Sequence, residues 1–263
     1  MDEQNCTTIF EGITTPSKAV ARIGLILLST DEVGGDAFTS IMPADEVTVF
    51  TTRSAYNHSG GGFSLETSFA DVVNTLPPAG RFDVLAFGCT SATVVMGMKS
   101  LLSQLAGARA GMKYTSPAVA AVAALQHLKA KRIALLTPYE LALHGSFLPF
   151  FRENEFEITT HGTFGKSTDA EIGELHRDSI FSAANALIRT VLPDAIFISC
   201  TATPIVPHIN SLEKEIGIPV ITSSQAMAWD ALRLAGYRKP ISGFGRLLAA
   251  ERLADGCARN ISS

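Results

Sequence analysis

The chain reads as an α/β protein of two pseudosymmetric parallel-sheet domains, and three observations predict it. Short apolar, β-branched runs alternate with segments of helical length, the pattern of βαβ units. The runs are apolar almost without interruption, as expected of parallel strands covered on both faces. The pattern also repeats. Arg132 follows Arg22 in an equivalent run by 132 − 22 = 110 positions, Cys200 follows Cys89 by 200 − 89 = 111, and Thr222 follows Thr115 by 222 − 115 = 107. Three landmarks at nearly one offset make an internal duplication the economical explanation.

Taken in order, residues 1–19 form a leader of low pattern content, and Arg22 to Ser29 is the first strand. It stops at Ser29-Thr30-Asp31, polar residues suited to a helix cap or a ligand-facing loop. Val47 to Thr52 is a second β-branched run. Asn57-His58-Ser59-Gly60-Gly61-Gly62 reads as a mobile loop, and a helix from about Leu65 to Leu76 ends at Pro77-Pro78. Phe82 to Phe87 is a strand leading to Cys89, Ala92 to Ala106 its helix, and Lys113 to Pro117 a short strand opening the helix Ala118–Lys129. The second half repeats this with Lys131–Thr137, Ala195–Ile198 and Pro219–Ser224, followed by a helix Gln225–Leu234. Because that helix follows the last strand, it is expected to pack back on the first half. The expected domains are therefore 20–117 plus 225–263, and 118–224.

Composition bounds the partners. With 263 residues, 46% hydrophobic and 17% charged, the chain has length for a full core. A net charge of -4 argues against nucleic acid or an anionic membrane surface. No apolar run reaches the roughly 18 residues of a membrane span. The N-terminus is acidic and lacks the basic and apolar regions of a secretory signal, so a cytoplasmic location is the default expectation. Four cysteines, at 6, 89, 200 and 257, have neither disulfide nor Cys-x-x-Cys spacing. No histidines pair at helical metal-binding spacing, and Gly60-Gly61-Gly62 is no dinucleotide fingerprint.

Two of those cysteines sit in near-copies of one motif: Phe87-Gly88-Cys89-Thr90-Ser91-Ala92 and Ile198-Ser199-Cys200-Thr201-Ala202-Thr203. Each places a thiol at the carboxyl end of a strand where a helix is expected to open, so backbone N–H groups and the helix dipole would lower its pKa. In open parallel sheets ligands sit at that end of the strands. If the halves face one another, Cys89 and Cys200 flank one cleft as a matched acid and base. Such a pair can invert a carbon beside a carboxylate by proton transfer. Alternatively, a thiolate adds to a cis alkene acid, the central bond turns, and elimination returns the trans isomer. Either path builds negative charge, and the N–H groups after each cysteine, with the hydroxyls of Thr90, Ser91 and Thr201, are candidates to meet it. Strand-end hydroxyls at Thr115, Ser116 and Thr222 are candidates to bind a carboxylate or simply to cap helices. Trp229 reads as core.

Pro219-Val220-Ile221-Thr222-Ser223-Ser224-Gln225 through Gly236, followed by Gly243-Phe244-Gly245-Arg246-Leu247, resembles the C-terminal signature of the arylmalonate decarboxylase and maleate cis-trans isomerase branch of the aspartate/glutamate racemase superfamily. The two cysteine motifs resemble that branch's, and Thr137-Pro138-Tyr139 resembles the segment carrying its active-site tyrosine. The resemblance covers roughly residues 20–250. It implies two facing α/β domains with the active site between them, and chemistry on a small carboxylate without cofactor or metal. By that resemblance Cys89 and Cys200 are catalytic, and Asp31, Thr90, Ser91, Tyr139, Thr201 and Ala202 contact substrate. Decarboxylases of the branch carry glycine in place of the first cysteine, which disfavours a pure decarboxylase here. Maleate isomerases resemble this chain in both cysteines but carry an asparagine where it has Asp31, and a second asparagine whose nearest counterparts are Asp169 and Ala170. The first motif also looks like that of the ectoine-utilisation proteins, whose substrate context is an amino acid derivative. An ionised aspartate only accepts, so Asp31 suits a cationic or N–H-bearing group. A homo-oligomer is expected. The competing reading from another class is a non-catalytic small-acid binding protein with structural cysteines.

Overall fold

Runs such as Ile23-Gly24-Leu25-Ile26-Leu27 and Ile133-Ala134-Leu135-Leu136 have no polar face to offer water, so each takes the middle of a sheet. The computed structural model describes residues 10–15, 17–59, 62–78 and 80–249. Most of the expected leader, the tail from residue 250, and Cys6 and Cys257 lie outside the described residues. The first half runs β1 (Ala21–Leu28), α1 (Gly34–Ile41), β2 (Val47–Ser54), β3 (Tyr56–Ser59), β4 (Gly62–Leu65), α2 (Phe69–Asn74), β5 (Val84–Gly88), α3 (Thr90–Met96), α4 (Met98–Ala108) and β6 (Lys113–Thr115). The second runs α5 (Pro117–His127), β7 (Arg132–Tyr139), α6 (Leu141–Glu153), β8 (Glu157–Lys166), α7 (Asp169–Gly173), α8 (Arg177–Ile188) and β9 (Ala195–Ile198). It continues through a 3-10 turn (Val206–His208), α9 (Ile209–Ile216), β10 (Val220–Thr222), α10 (Ser223–Leu234) and α11 (Arg246–Ala249).

The first four-stranded sheet has the order β2-β1-β5-β6 and the second, read in the matching direction, β8-β7-β9-β10. All of their ladders are parallel. The same order in both halves matches the repeat, with β5 and β9, the cysteine strands, in equivalent central places. Between the sheets, α5 packs on α10, α5 also touches β10, and α10 touches β5, β6 and α1. One buried core consequently runs through both halves, from Leu25 and Phe38 to Phe197 and Trp229. Alanines at 118, 120, 121 and 124 of α5 are fully buried. Their small side chains let the two helices approach.

Three local expectations are corrected. The stretch expected as a loop at Asn57–Gly62 is instead the antiparallel β3–β4 hairpin, with Tyr56 opposite Leu65 and His58 opposite Phe63. Glycines between two runs with alternating aromatics are a hairpin signal. The helix expected from Leu65 begins at Phe69, because Leu65 pairs in β4 and Ser68 caps the helix by accepting from the Asp71 N–H at 3.1 Å. The single helix expected at Ala92–Ala106 is two, parted at Gly97, whose φ of 80° is open to glycine and strained for other residues.

Thr222 joins a strand end to the central helix. Its hydroxyl accepts from the Gln225 N–H at 3.2 Å while the Gln225 side chain accepts from the Thr222 N–H at 3.1 Å, a capping box in a fully buried setting. Thr222→Ala is expected to destabilise the protein by about 1 kcal/mol, read as a lower urea midpoint at unchanged slope. Because the hydroxyl is used in the cap, turnover of the folded variant should be unaltered.

Candidate active site

β5 delivers Cys89 to the start of α3, where the thiol takes the place of a capping side chain. Its sulfur accepts from the Ala92 N–H at 3.4 Å and lies 3.5 Å from the Ser91 hydroxyl. β9 delivers Cys200 differently. The expected helix after it does not form; the chain turns through 201–205 into the 3-10 turn before α9 begins. Pro204 and Pro207 explain the difference, since each lacks an N–H and disfavours helical backbone in the residue before it. Cys200 itself has a φ of 80°, a conformation rare for a residue with a side chain. Strain of this kind persists where surrounding contacts enforce it.

Those contacts tie the two motifs together. Thr201 donates through Oγ1 to the Gly88 carbonyl at 3.3 Å, and Thr90 donates through Oγ1 to Ser223 Oγ at 2.9 Å. Ser224 adds a 3.4 Å bond from its hydroxyl to the Thr201 carbonyl. Gly88 is packed against the neighbouring strand, where an added Cβ would meet Leu27 Cδ2 at 2.7 Å. Both hydroxyls donate within this seam, and both residues also line the cavity. The Ala92 N–H is directed at the Cys89 sulfur and the Ala202 N–H at the Cys200 sulfur.

One cavity of about 470 Å³ receives both sulfurs. Cys89, Thr90, Ser91, Cys200 and Thr201 line it together with Asp31 and Tyr139. The Tyr139 hydroxyl sits 3.2 Å from Ser199 Oγ and also donates toward the Cys200 sulfur. Thr115, Ser116 and Thr222 do not reach the lining. Thr115 donates to buried Asp230 at 2.7 Å and Thr222 caps α10, so the carboxylate-binding expectation for these two gives way to structural roles; Ser116 is fully buried at the start of α5, outside the lining, and its hydroxyl makes no cap bond.

The cavity also recruits residues that strand and motif reasoning passed over. The β3–β4 hairpin contributes Tyr56 and Phe63, stacked with ring centres 5.6 Å apart. Lys166 ends β8, and Asp169 opens α7 as the Thr30 hydroxyl donates to its carboxylate. Glu140 accepts from Ser167 at 2.8 Å. Asp169 was visible only as a tentative counterpart of a family asparagine. Lys166 carried no local signal, because a lysine at a strand end is ordinarily solvated.

Burial dominates the electrostatics. It pushes the Cys89 thiol up to about 12, against the Ser91 hydroxyl and Ala92 N–H, which stabilise the thiolate. Burial likewise drives Cys200 well above the ordinary thiol range, and the carboxylates of Asp169 and Asp31 add to it. The expectation that helix N-termini lower both thiols is thereby corrected: desolvation outweighs the dipole. Burial raises Asp169 as well, and Asp31 reinforces the shift.

The model of the arylmalonate decarboxylase family matches residues 66–248. The chain belongs to that family. Among its relatives, the maleate isomerase of Nocardia farcinica is 26% identical over 245 residues, 87% of this chain and 96% of that protein. The arylmalonate decarboxylase of Bordetella bronchiseptica is 28% identical over 139 residues, 52% of this chain and 58% of that one. Of solved structures, a mutant of the Nocardia farcinica maleate cis-trans isomerase with a covalently bound succinylcysteine intermediate superposes with a TM-score of 0.75 at 26% identity, covering 87% of this chain and 98% of that one. Unliganded arylmalonate decarboxylase shares the fold, with a TM-score of 0.70 at 22% identity over 87% of this chain and 98% of that one. Among the described residues no cluster of histidine, cysteine and carboxylate side chains could hold a metal ion, and no helix is long and apolar enough to cross a membrane.

A thiol held near 12 stays protonated through neutral pH, and its thiolate fraction rises about tenfold per pH unit until the pH passes its pKa. Peptide-resolved alkylation of Cys89 by iodoacetamide in the ligand-free protein should therefore keep accelerating from about pH 7.5 to 10. A plateau near the ordinary thiol pKa of about 8.5 contradicts the buried, protonated resting state.

Proposed function

We propose that the protein is a cofactor-independent isomerase of a small unsaturated carboxylic acid, converting a cis alkene to the trans form by reversible thiol addition. The observation that carries the reading is that Cys89 and Cys200, 111 residues apart, line one cavity with Tyr139 against the second sulfur. Cys89 takes the part of nucleophile, since its anion has the Ala92 N–H, the Ser91 hydroxyl and the start of α3 to stabilise it. Cys200, driven well above the ordinary thiol range by burial, stays a thiol.

In this scheme Cys89 gives its proton to water and forms a carbon–sulfur bond to one alkene carbon. The π electrons move onto the neighbouring carboxylate as an enediolate, whose charge is met by the N–H groups opening α3 and by the Cys200 thiol. What was a double bond is now single and turns. Collapse of the enediolate expels the sulfur, restores the double bond in its trans form and lets Cys89 recover a proton. Atoms and electrons balance with the substrate alone. The succinylcysteine of the Nocardia farcinica relative is the protonated form of such an adduct, which supports addition over direct proton transfer.

Decarboxylation of an arylmalonate is the second reading, favoured by the 28% identity to the Bordetella bronchiseptica enzyme. Carbon dioxide release from an arylmalonate would reveal it. A location in the reducing cytoplasm fits two free thiols in one cavity, and exposed Phe10 and Ile13 fit a homo-oligomer.

Replacing either cysteine by serine is expected to lower turnover by at least about a thousandfold without unfolding the chain. Incubated with maleate, Cys200→Ser should accumulate one substrate mass on the Cys89 peptide, and Cys89→Ser should carry none. Adduct on Cys200 alone would reverse the two roles.

A further inference from the structure

One residue out of step turns Lys166 toward the cavity. Along the β7–β8 ladder Thr137 pairs with Thr163 and Tyr139 with Lys166, so two positions on β7, 139 − 137 = 2, run against three on β8, 166 − 163 = 3. An extra residue of this kind is a bulge, and a slip of one position moves the side chains beyond it to the other face of the sheet. Gly165 takes up the step with a φ of 64°, left-handed backbone that favours glycine. An added Cβ there would meet nothing within 4 Å, so the backbone angle, not a close approach, calls for glycine. Thr163 braces the turn: its hydroxyl accepts from the Gly165 N–H at 3.3 Å and from the Thr137 hydroxyl at 3.2 Å, and donates to the Tyr139 carbonyl. Paired residues on neighbouring strands stand about 5 Å apart on one face. The bulge therefore puts Lys166 beside Tyr139, whose hydroxyl reaches toward the Cys200 sulfur, and both residues line the cavity.

The charge is uncommitted. Lys166 is half-buried, and among the described residues its ammonium has neither an ion pair nor a hydrogen bond. The carboxylates of the lining have other donors: Asp169 accepts from Thr30, Glu140 from Ser167 at 2.8 Å, and Asp31 from the Val33 and Gly34 N–H groups at 3.1 and 2.6 Å. Glu171 feels the Lys166 charge but already accepts from the Ser167 and Thr168 N–H groups at 3.2 Å each. Lys166 is the one cationic side chain among the described lining residues, against those three acids. An acid entering this space meets more like charge than unlike, so the single ammonium fixes where its carboxylate can lie.

Resting on the isomerase reading above, we infer that Lys166 is a substrate-binding residue whose ammonium receives a carboxylate of the acid in the ground state. Maleate tests it together with succinate, the saturated diacid that cannot react. Calorimetric binding of succinate to Lys166→Met and to Lys166→Gln should be at least about tenfold weaker than to the wild type. Lys166→Arg keeps the charge and should stay within about threefold of wild type. With maleate the same loss should appear in KM, with kcat altered less than about threefold. A urea midpoint equal to wild type shows that the variants are folded. Succinate binding unmoved in Lys166→Met and Lys166→Gln, or lost equally in Lys166→Arg, overturns the inference and leaves the isomerase reading standing. Protein that binds succinate through Lys166 but gives neither fumarate from maleate nor a Cys89 adduct overturns the isomerase reading alone. If the wild type binds neither diacid, both fall.

Discussion

The site depends on a short seam between two strand ends. The Thr201 hydroxyl reaches across 113 residues of sequence to the Gly88 carbonyl, and Thr90 reaches Ser223 at the head of the buried helix Ser223–Leu234. The first bond joins the residue after one cysteine to the residue before the other, and the second ties the residue after Cys89 to that helix. Both lie in a setting where an unpaired hydroxyl or carbonyl would be costly, which makes the register between the halves sharply defined. The left-handed backbone of Cys200 is the local cost of that register.

Enclosure sets the chemistry as much as proximity does. A sulfur 5–8% exposed is shielded from water, and burial holds both thiols protonated at rest. The resting enzyme is thereby spared adventitious alkylation and oxidation, because thiolate is the reactive form. Cys89 and Cys200 nevertheless differ. Cys89 caps a helix start beside the Ser91 hydroxyl, whereas Cys200 sits in left-handed backbone beside Tyr139; the field of Asp31 and Asp169 reaches both. A duplicated scaffold has acquired unlike ends.

The β3–β4 hairpin and the two aspartates give the family cavity its particular character. Tyr56 and Phe63 stack over one side and Phe63 meets Phe87 edge-on at 6.1 Å, so the wall is rigid and apolar. Against that wall, Asp31 and Asp169 set a local field opposite in sign to Lys166.

By itself the sequence determined the two-sheet α/β architecture, the duplication and the two cysteines in matched motifs, because continuous apolar runs and matched motifs are local signals that burial enforces. The family resemblance added the facing of the halves. Tertiary structure alone decided what each polar group touches. The Thr90 and Thr201 hydroxyls donate to Ser223 and to the Gly88 carbonyl, Thr115 was taken by Asp230, and Lys166 and the hairpin aromatics entered from strands distant in the chain. It alone also reversed the sign of the thiol shifts: a helix start is legible in a few residues, but desolvation is a property of everything packed around the sulfur.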